Sequence, residues 1–147
     1  MSKTKSSHIN IKEVTIIGKN SKLYRNLQND FKLRFELVNE ISHKNLDNYE
    51  TFNNPIIFSF SNKNFEENRC LIDSVINNSV GKVIYISSTS ILSCHYSNKY
   101  SYPKLKKEIE NYLLTKENVI IMRVGLVENL FDENKICGKI KYSSLNK

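Results

Sequence analysis

Five short runs of Val, Ile and aromatic residues, each followed by a segment with helical spacing, constrain this chain more than any other feature. The runs are Val14-Thr15-Ile16-Ile17-Gly18, Arg34-Phe35-Glu36-Leu37-Val38, 55–60, 82–87 and 119–124. Short β-branched runs bounded by Gly, Asn or Pro read as strands. Pro55 stands first in its run, where a missing N–H is tolerated. Between the runs, Leu23, Leu27 and Phe31 recur every fourth residue, so a helix is predicted over 21–31 with Asn20 or Ser21 as its cap. Leu71, Ile72, Val75 and Ile76 mark one side of a helix over 65–78, ended by Gly81. Leu105, Ile109, Tyr112 and Leu113 do the same over 103–116, and residues 43–51 form a weak helix or loop.

Strands apolar on both faces, alternating with helices, build a parallel sheet covered on both sides. With right-handed crossovers this is a doubly wound, Rossmann-like α/β sheet of about five strands, expected in the order 3-2-1-4-5. Residues 1–11 form a polar tail rich in Ser and Lys, and 12–147 form one domain. A 39% hydrophobic and 25% charged composition with four glycines supports a globular fold without long linkers.

The net charge of +7 raises nucleic acid as a partner, but the basic residues are scattered from Lys3 to Lys147. One tight group exists, Lys104, Lys106 and Lys107, with no arginine-rich arm or aromatic RNA-binding motif. Anionic small molecules such as nucleotide diphosphates fit the charge equally well. Cys70, Cys94 and Cys137 are odd in number and form no CxxC pair, which points to reduced thiols in a cytoplasmic protein. The polar N-terminus has no apolar stretch behind it, as a signal peptide would, and no apolar run approaches a bilayer span. No metal-ligand spacing is present.

In a sheet of this kind ligands bind at the carboxyl ends of the strands, beside the switch point. The first loop there reads Gly18-Lys19-Asn20-Ser21-Lys22-Leu23-Tyr24. A dinucleotide fingerprint wants glycine near 18, 21 and 24; Gly18 is present, Ser21 offers a hydroxyl and a helix-terminal amide, and Tyr24 is bulky where a small residue lets helix and strand pack closely. Ser87-Ser88-Thr89-Ser90 then delivers hydroxyls to the same edge. Tyr100 and Lys104 stand four apart, one helical turn if helical, and a lysine beside a phenol favours phenolate and so a general acid or base. Tyr102 and Lys106 match the same spacing. Pro103 disfavours helical backbone at Tyr102. Glu40 or Asn39 lies where an acidic residue would meet an adenosine ribose, although a solvated loop is the simpler reading. Asp73 and Glu108 read as exposed helix charges, and Cys94-His95 as loop neighbours that do not face each other.

The combination resembles the extended short-chain dehydrogenase/reductase family, which includes NAD-dependent epimerases and dehydratases of nucleotide sugars. The resemblance runs from about residue 13 to 127 and rests on Glu66–Leu71 with Asn68, Tyr85–Ile91 with its Ser-Ser-Thr-Ser, Tyr100-Ser101-Tyr102-Pro103-Lys104 with trailing Glu108, and Val119–Val127 with Arg123. It implies that Ser88 orients a substrate hydroxyl and that Tyr100 is the general base. Lys104 would hold the nicotinamide ribose and lower the phenol's pKa, supported by Asn68 through a water. Gly18 and Ser21 would meet the cofactor, NAD or NADP. The expected function is an epimerase/dehydratase-like oxidoreductase acting on or binding a nucleotide sugar in surface polysaccharide assembly. The alternative is a non-catalytic Rossmann-like descendant that binds a nucleotide or a partner. The family's substrate lobe is expected to be missing or vestigial, with Gly138–Tyr142 as a strand-like remnant; a homo-oligomer would let a second subunit supply it.

Overall fold

The computed structural model describes residues 11–58, 64–93 and 101–125. In chain order the elements are β1 (Glu13–Ile17), α1 (Lys22–Arg34), β2 (Leu37–Ile41), a 3-10 helix (His43–Asn48), β3 (Phe52–Asn53), β4 (Pro55–Ile57), α2 (Phe65–Asn77), β5 (Ser79–Val80), β6 (Val83–Ser88), a second 3-10 helix (Thr89–Ser93), α3 (Ser101–Leu113) and β7 (Val119–Val124). Gly138–Tyr142, expected as a strand, lies outside the described residues.

The main sheet is parallel throughout and has five strands in the order β2-β1-β4-β6-β7. Counting these five alone, the order is 2-1-3-4-5, which corrects the expected 3-2-1-4-5. The third strand pairs with β1 through Thr15–Pro55, Ile16–Ile56 and Ile17–Ile57 instead of lying outside β2. Burial explains the choice. Pro55, Ile56 and Ile57 are all buried, whereas β2 carries exposed Leu37 and half-exposed Asn39 and Glu40, as an outer strand does. Removing the outermost strand 3 from the Rossmann order 3-2-1-4-5-6 leaves this same arrangement, with the switch still beside β1. The architecture is therefore α/β and Rossmann-like. A two-stranded ladder, β3 with β5, ties the entry of β4 to the exit of α2.

Each face of the sheet has its own core. On the α1 side Val14, Ile16, Ile56, Phe58 and Ile86 enclose Tyr24. On the other side Ile17, Ile57, Val83 and Tyr85 pack under Ile72 and Val75 of α2 and Ile109 and Leu113 of α3. Fully burying side chains of this size stabilises by about 1.5–3 kcal/mol each. At one side of the sheet β7 leaves Ile120 and Met122 about half exposed, at 48% and 49%.

Two expected boundaries move. The strand read at 34–38 begins at Leu37, because α1 continues through Arg34 and is capped by Phe35. Lys32 and Arg34 favour that extension, lying in the last turn at the negative end of the helix, and Phe35 stacks on Phe31 at 5.8 Å. The third helix starts at Ser101, not 103, and ends at Leu113. Pro103 occupies its third position, where the missing N–H has no intrahelical partner to lose. Tyr102 is therefore helical despite the proline that follows it.

Candidate functional site

Parallel strands deliver their carboxyl ends to one edge of the sheet, and the starts of α1, α2 and α3 gather there too. The turn after β1 is fixed by two neighbours at once. Gly18 and Lys19 both donate their backbone N–H to the Ile41 carbonyl, at 2.9 and 3.2 Å, and Phe58 donates to the Ile17 carbonyl at 2.9 Å. Gly18 has φ +91°, and a Cβ there would stand 2.9 Å from the Phe58 carbonyl oxygen. Glycine is thus required by conformation and by space. Ser21 caps α1, its hydroxyl accepting from the Tyr24 N–H at 3.3 Å.

Tyr24 is fully buried between α1 and the sheet, its ring 5.2 Å from that of Phe58 and 5.7 Å from that of Phe31. It fills the core beneath the helix, among Val14, Ile16, Ile56, Phe58 and Ile86. Its hydroxyl donates to Glu40 at 2.6 Å, where Gln28 also donates at 2.6 Å and Lys32 approaches to 3.5 Å. Burial, with the carboxylate beside it, pushes the Tyr24 pKa up. The Tyr24 hydrogen bond, aided by Gln28 and Lys32, holds Glu40 below the usual carboxylate value despite partial burial. Glu40 is a strand residue gripped by α1, not the solvated loop residue expected. Asn39 donates to Glu13 at 2.8 Å.

At the end of β6 and the start of the 3-10 helix after it, the four hydroxyls differ. Ser87 is buried and makes no hydrogen bond of ordinary geometry, although it lies near enough to Glu110 to help lower that carboxyl's pKa. Ser88, half-buried, donates to the Ser90 hydroxyl at 2.9 Å and accepts from the Ser90 N–H at 3.2 Å, closing a local turn. Thr89 is the exposed one, beside Gly125 at the end of β7. Asn68, in the first turns of α2, is buried and donates to the Asn64 carbonyl at 2.8 Å. Lys104 is exposed on the first turn of α3. Tyr100, and with it the Tyr100–Lys104 pair, lies outside the described residues, as do Cys94, His95 and Cys137. Cys70 is exposed and free.

The second Tyr-Lys match points inward. Lys106 is 2% exposed, and its amine donates to the Tyr85 hydroxyl at 2.8 Å and to the Ile86 carbonyl at 3.1 Å. It stands 4.5 Å from the centre of the Tyr85 ring and 5.8 Å from that of Tyr102. Burial pushes its pKa down to about 7, against the attraction of Glu110. Glu110, 3% exposed, accepts from Arg123 Nε at 3.1 and 3.2 Å and from its terminal nitrogen at 2.7 Å. Burial opposes ionisation of Glu110, but the Arg123 hydrogen bonds outweigh it and hold the pKa low. Asp73 is no simple exposed charge either, since it accepts from the Tyr112 hydroxyl at 2.5 Å and meets Lys116 at 3.5 Å. Sequence reasoning noted Lys106 only as a basic residue and a second match to the Tyr-Lys spacing, and passed over Glu110. The signal was their place with Pro103, Ile109 and Leu113 on one stripe at spacings of three and four, the buried stripe of α3.

Chemically, the edge combines a glycine turn at a helix N-terminus, two accessible hydroxyls and a lysine. No protein-family model matches this chain, and no curated protein matches it. Among the described residues no group of His, Cys, Asp and Glu is arranged to hold a metal ion. No helix among them is long and apolar enough to cross a membrane.

The residues present suit a dinucleotide in part. The turn at Gly18 has the tightness the fingerprint needs, the Ser21 side chain is folded onto its own helix, and Tyr24 is buried with its hydroxyl on Glu40. Backbone N–H groups at the start of α1 and Lys19 and Lys22, both exposed, suit a pyrophosphate.

Proposed function

We propose that this chain is a nucleotide-binding domain of the NAD(P)-dependent epimerase/dehydratase kind, acting on or binding a nucleotide sugar for surface polysaccharide assembly. One observation carries the reading. The same sheet edge presents the Gly18 turn with the capped start of α1, the end of β6 at Ser88 with Thr89 just beyond it, and the Lys104 turn of α3. In this proposal Gly18, Ser21 and the first amides of α1 hold the pyrophosphate, and Lys104 holds the ribose beside the nicotinamide. Ser88 orients a sugar hydroxyl, Tyr100 takes up or returns the hydroxyl proton at its phenol oxygen, and Asn68 steadies the lysine. The cofactor, when bound, supplies hydride transfer to and from a sugar carbon.

The non-catalytic alternative also has an observation in its favour. Tyr24 and Gln28 occupy the Glu40 carboxylate, and Ser88 is engaged with Ser90.

Thermal stability with NAD(H), NADP(H) and a uridine or guanosine diphosphate, each up to millimolar, separates the readings. A ligand at a hundred times its dissociation constant adds about 2.7 kcal/mol. Stabilisation by a dinucleotide supports the oxidoreductase reading, and Tyr100→Phe should then abolish turnover while leaving cofactor affinity nearly intact. Stabilisation by the diphosphate alone supports a binding protein. No response to any of them would overturn both.

A further inference from the structure

Among the described residues, Lys106 and Glu110 are the buried charged side chains. The proposed chemistry uses neither. Lys106 lies two residues beyond Lys104 on α3, and both of its hydrogen-bond acceptors belong to β6, in the two residues just before Ser87 and Ser88. Among the described residues the pairing of β4 with β6 runs to Ile57–Tyr85, and Lys106 donates to the carbonyl of the next residue of β6, Ile86. One side chain therefore ties the strand end that presents Ser88 to the helical turn that presents Lys104.

We propose that Lys106 is a positioning residue whose protonation state sets how tightly the start of α3 is held against the carboxyl end of β6. The groups facing its amine are Tyr85 from β6, Tyr102 and Glu110 from α3, and Arg123 of β7, which acts through Glu110. A neutral amine has two N–H groups, and two acceptors receive them. Protonation adds a third N–H and a full charge in a site shielded from water, which burial disfavours. Glu110 offsets part of that charge, but its carboxylate is already engaged by Arg123. The neutral amine therefore fits the clamp, and the ammonium strains it. Because burial brings the pKa to about 7, the change falls near neutral pH.

The consequence for Lys104 and Ser88 rests on the proposed site, but the clamp can be measured without activity. The experiment follows the Lys106 side-chain Cε signal and the Ser87, Ser88 and Lys104 amide signals by NMR from pH 5.5 to 9 in the whole chain. The expected result is one shared titration near neutral pH, far below that of an exposed lysine. In Lys106→Met the three amides should lose it while the rest of the spectrum stays folded. A Lys106 signal that titrates near the ordinary lysine value overturns the proposal in the native protein alone, with no variant required. Amide titrations that persist in Lys106→Met belong to another group and overturn it too. Failure of every nucleotide to bind would remove the site and leave the clamp result unaffected.

Discussion

At the scale of single residues, Gly18 and Tyr24 hold the turn beside β1 in different ways. Gly18 combines a left-handed φ with a carbonyl against its α-carbon, so Gly18→Ala should cost about 2 kcal/mol or more in urea unfolding. An unchanged midpoint would show that the turn relaxes freely. Tyr24→Phe keeps the ring contacts with Phe31 and Phe58 and removes one donor from Glu40. It should cost about 1–2 kcal/mol at neutral pH and raise the Glu40 pKa toward 4.5. The sign follows from linkage: a carboxyl held low in the folded state contributes stability above its unfolded pKa and loses it as pH falls through the folded value. The wild type should therefore lose more stability than Tyr24→Phe between pH 5 and 3, and a side-chain carboxyl titration checks the cause. The fingerprint comparison flagged position 24 as a departure. It did not reveal that the departure is compensated, because a bond between residues 24 and 40 depends on how far α1 stands from β2.

At the scale of elements, α3 is the most heavily tied helix, joined to β6 by Lys106 and to β7 by Glu110 with Arg123. Arg123→Ala leaves a buried carboxylate without its cation. Because the arginine is half exposed, we expect a loss of about 2 kcal/mol, below the cost of breaking a fully buried pair. Glu110→Gln added to Arg123→Ala should recover part of that loss, and purely additive effects would show that the two side chains are uncoupled. The existence and type of the five strands of the main sheet and of the three α-helices among the described residues were legible from periodicity, whereas the two-residue strands β3 and β5 were not. The end of α1 was not, because Arg34–Val38 has β-branched and aromatic character that suits a strand until Phe35 is seen stacking on Phe31. The polar members of the buried α3 stripe were also hidden. Lysine and glutamate at core spacing read as surface residues unless their partners on β6 and β7 are known.

At the scale of the whole molecule, the strand order was the main feature the alternation of elements left open. Every strand–helix repeat satisfies either order, and only the degree of burial places Pro55–Ile57 inside and Leu37–Ile41 outside. That contrast was present in composition, since β2 carries Asn39 and Glu40 while β4 is wholly apolar. On the opposite flank, among the described residues, β7 carries one charged side chain, Arg123, near its far end. Its Val-Ile-Ile-Met segment is strongly β-forming, has a single strand neighbour among the described residues, and shows half-exposed Ile120 and Met122. Such a rim can template the addition of strands from other molecules as a protein partly opens on warming. Ile120→Lys should therefore slow heat-induced aggregation and raise refolding yield while shifting the unfolding midpoint little, as followed by light scattering. The aggregation fate of this chain would then be governed by one flank of its sheet.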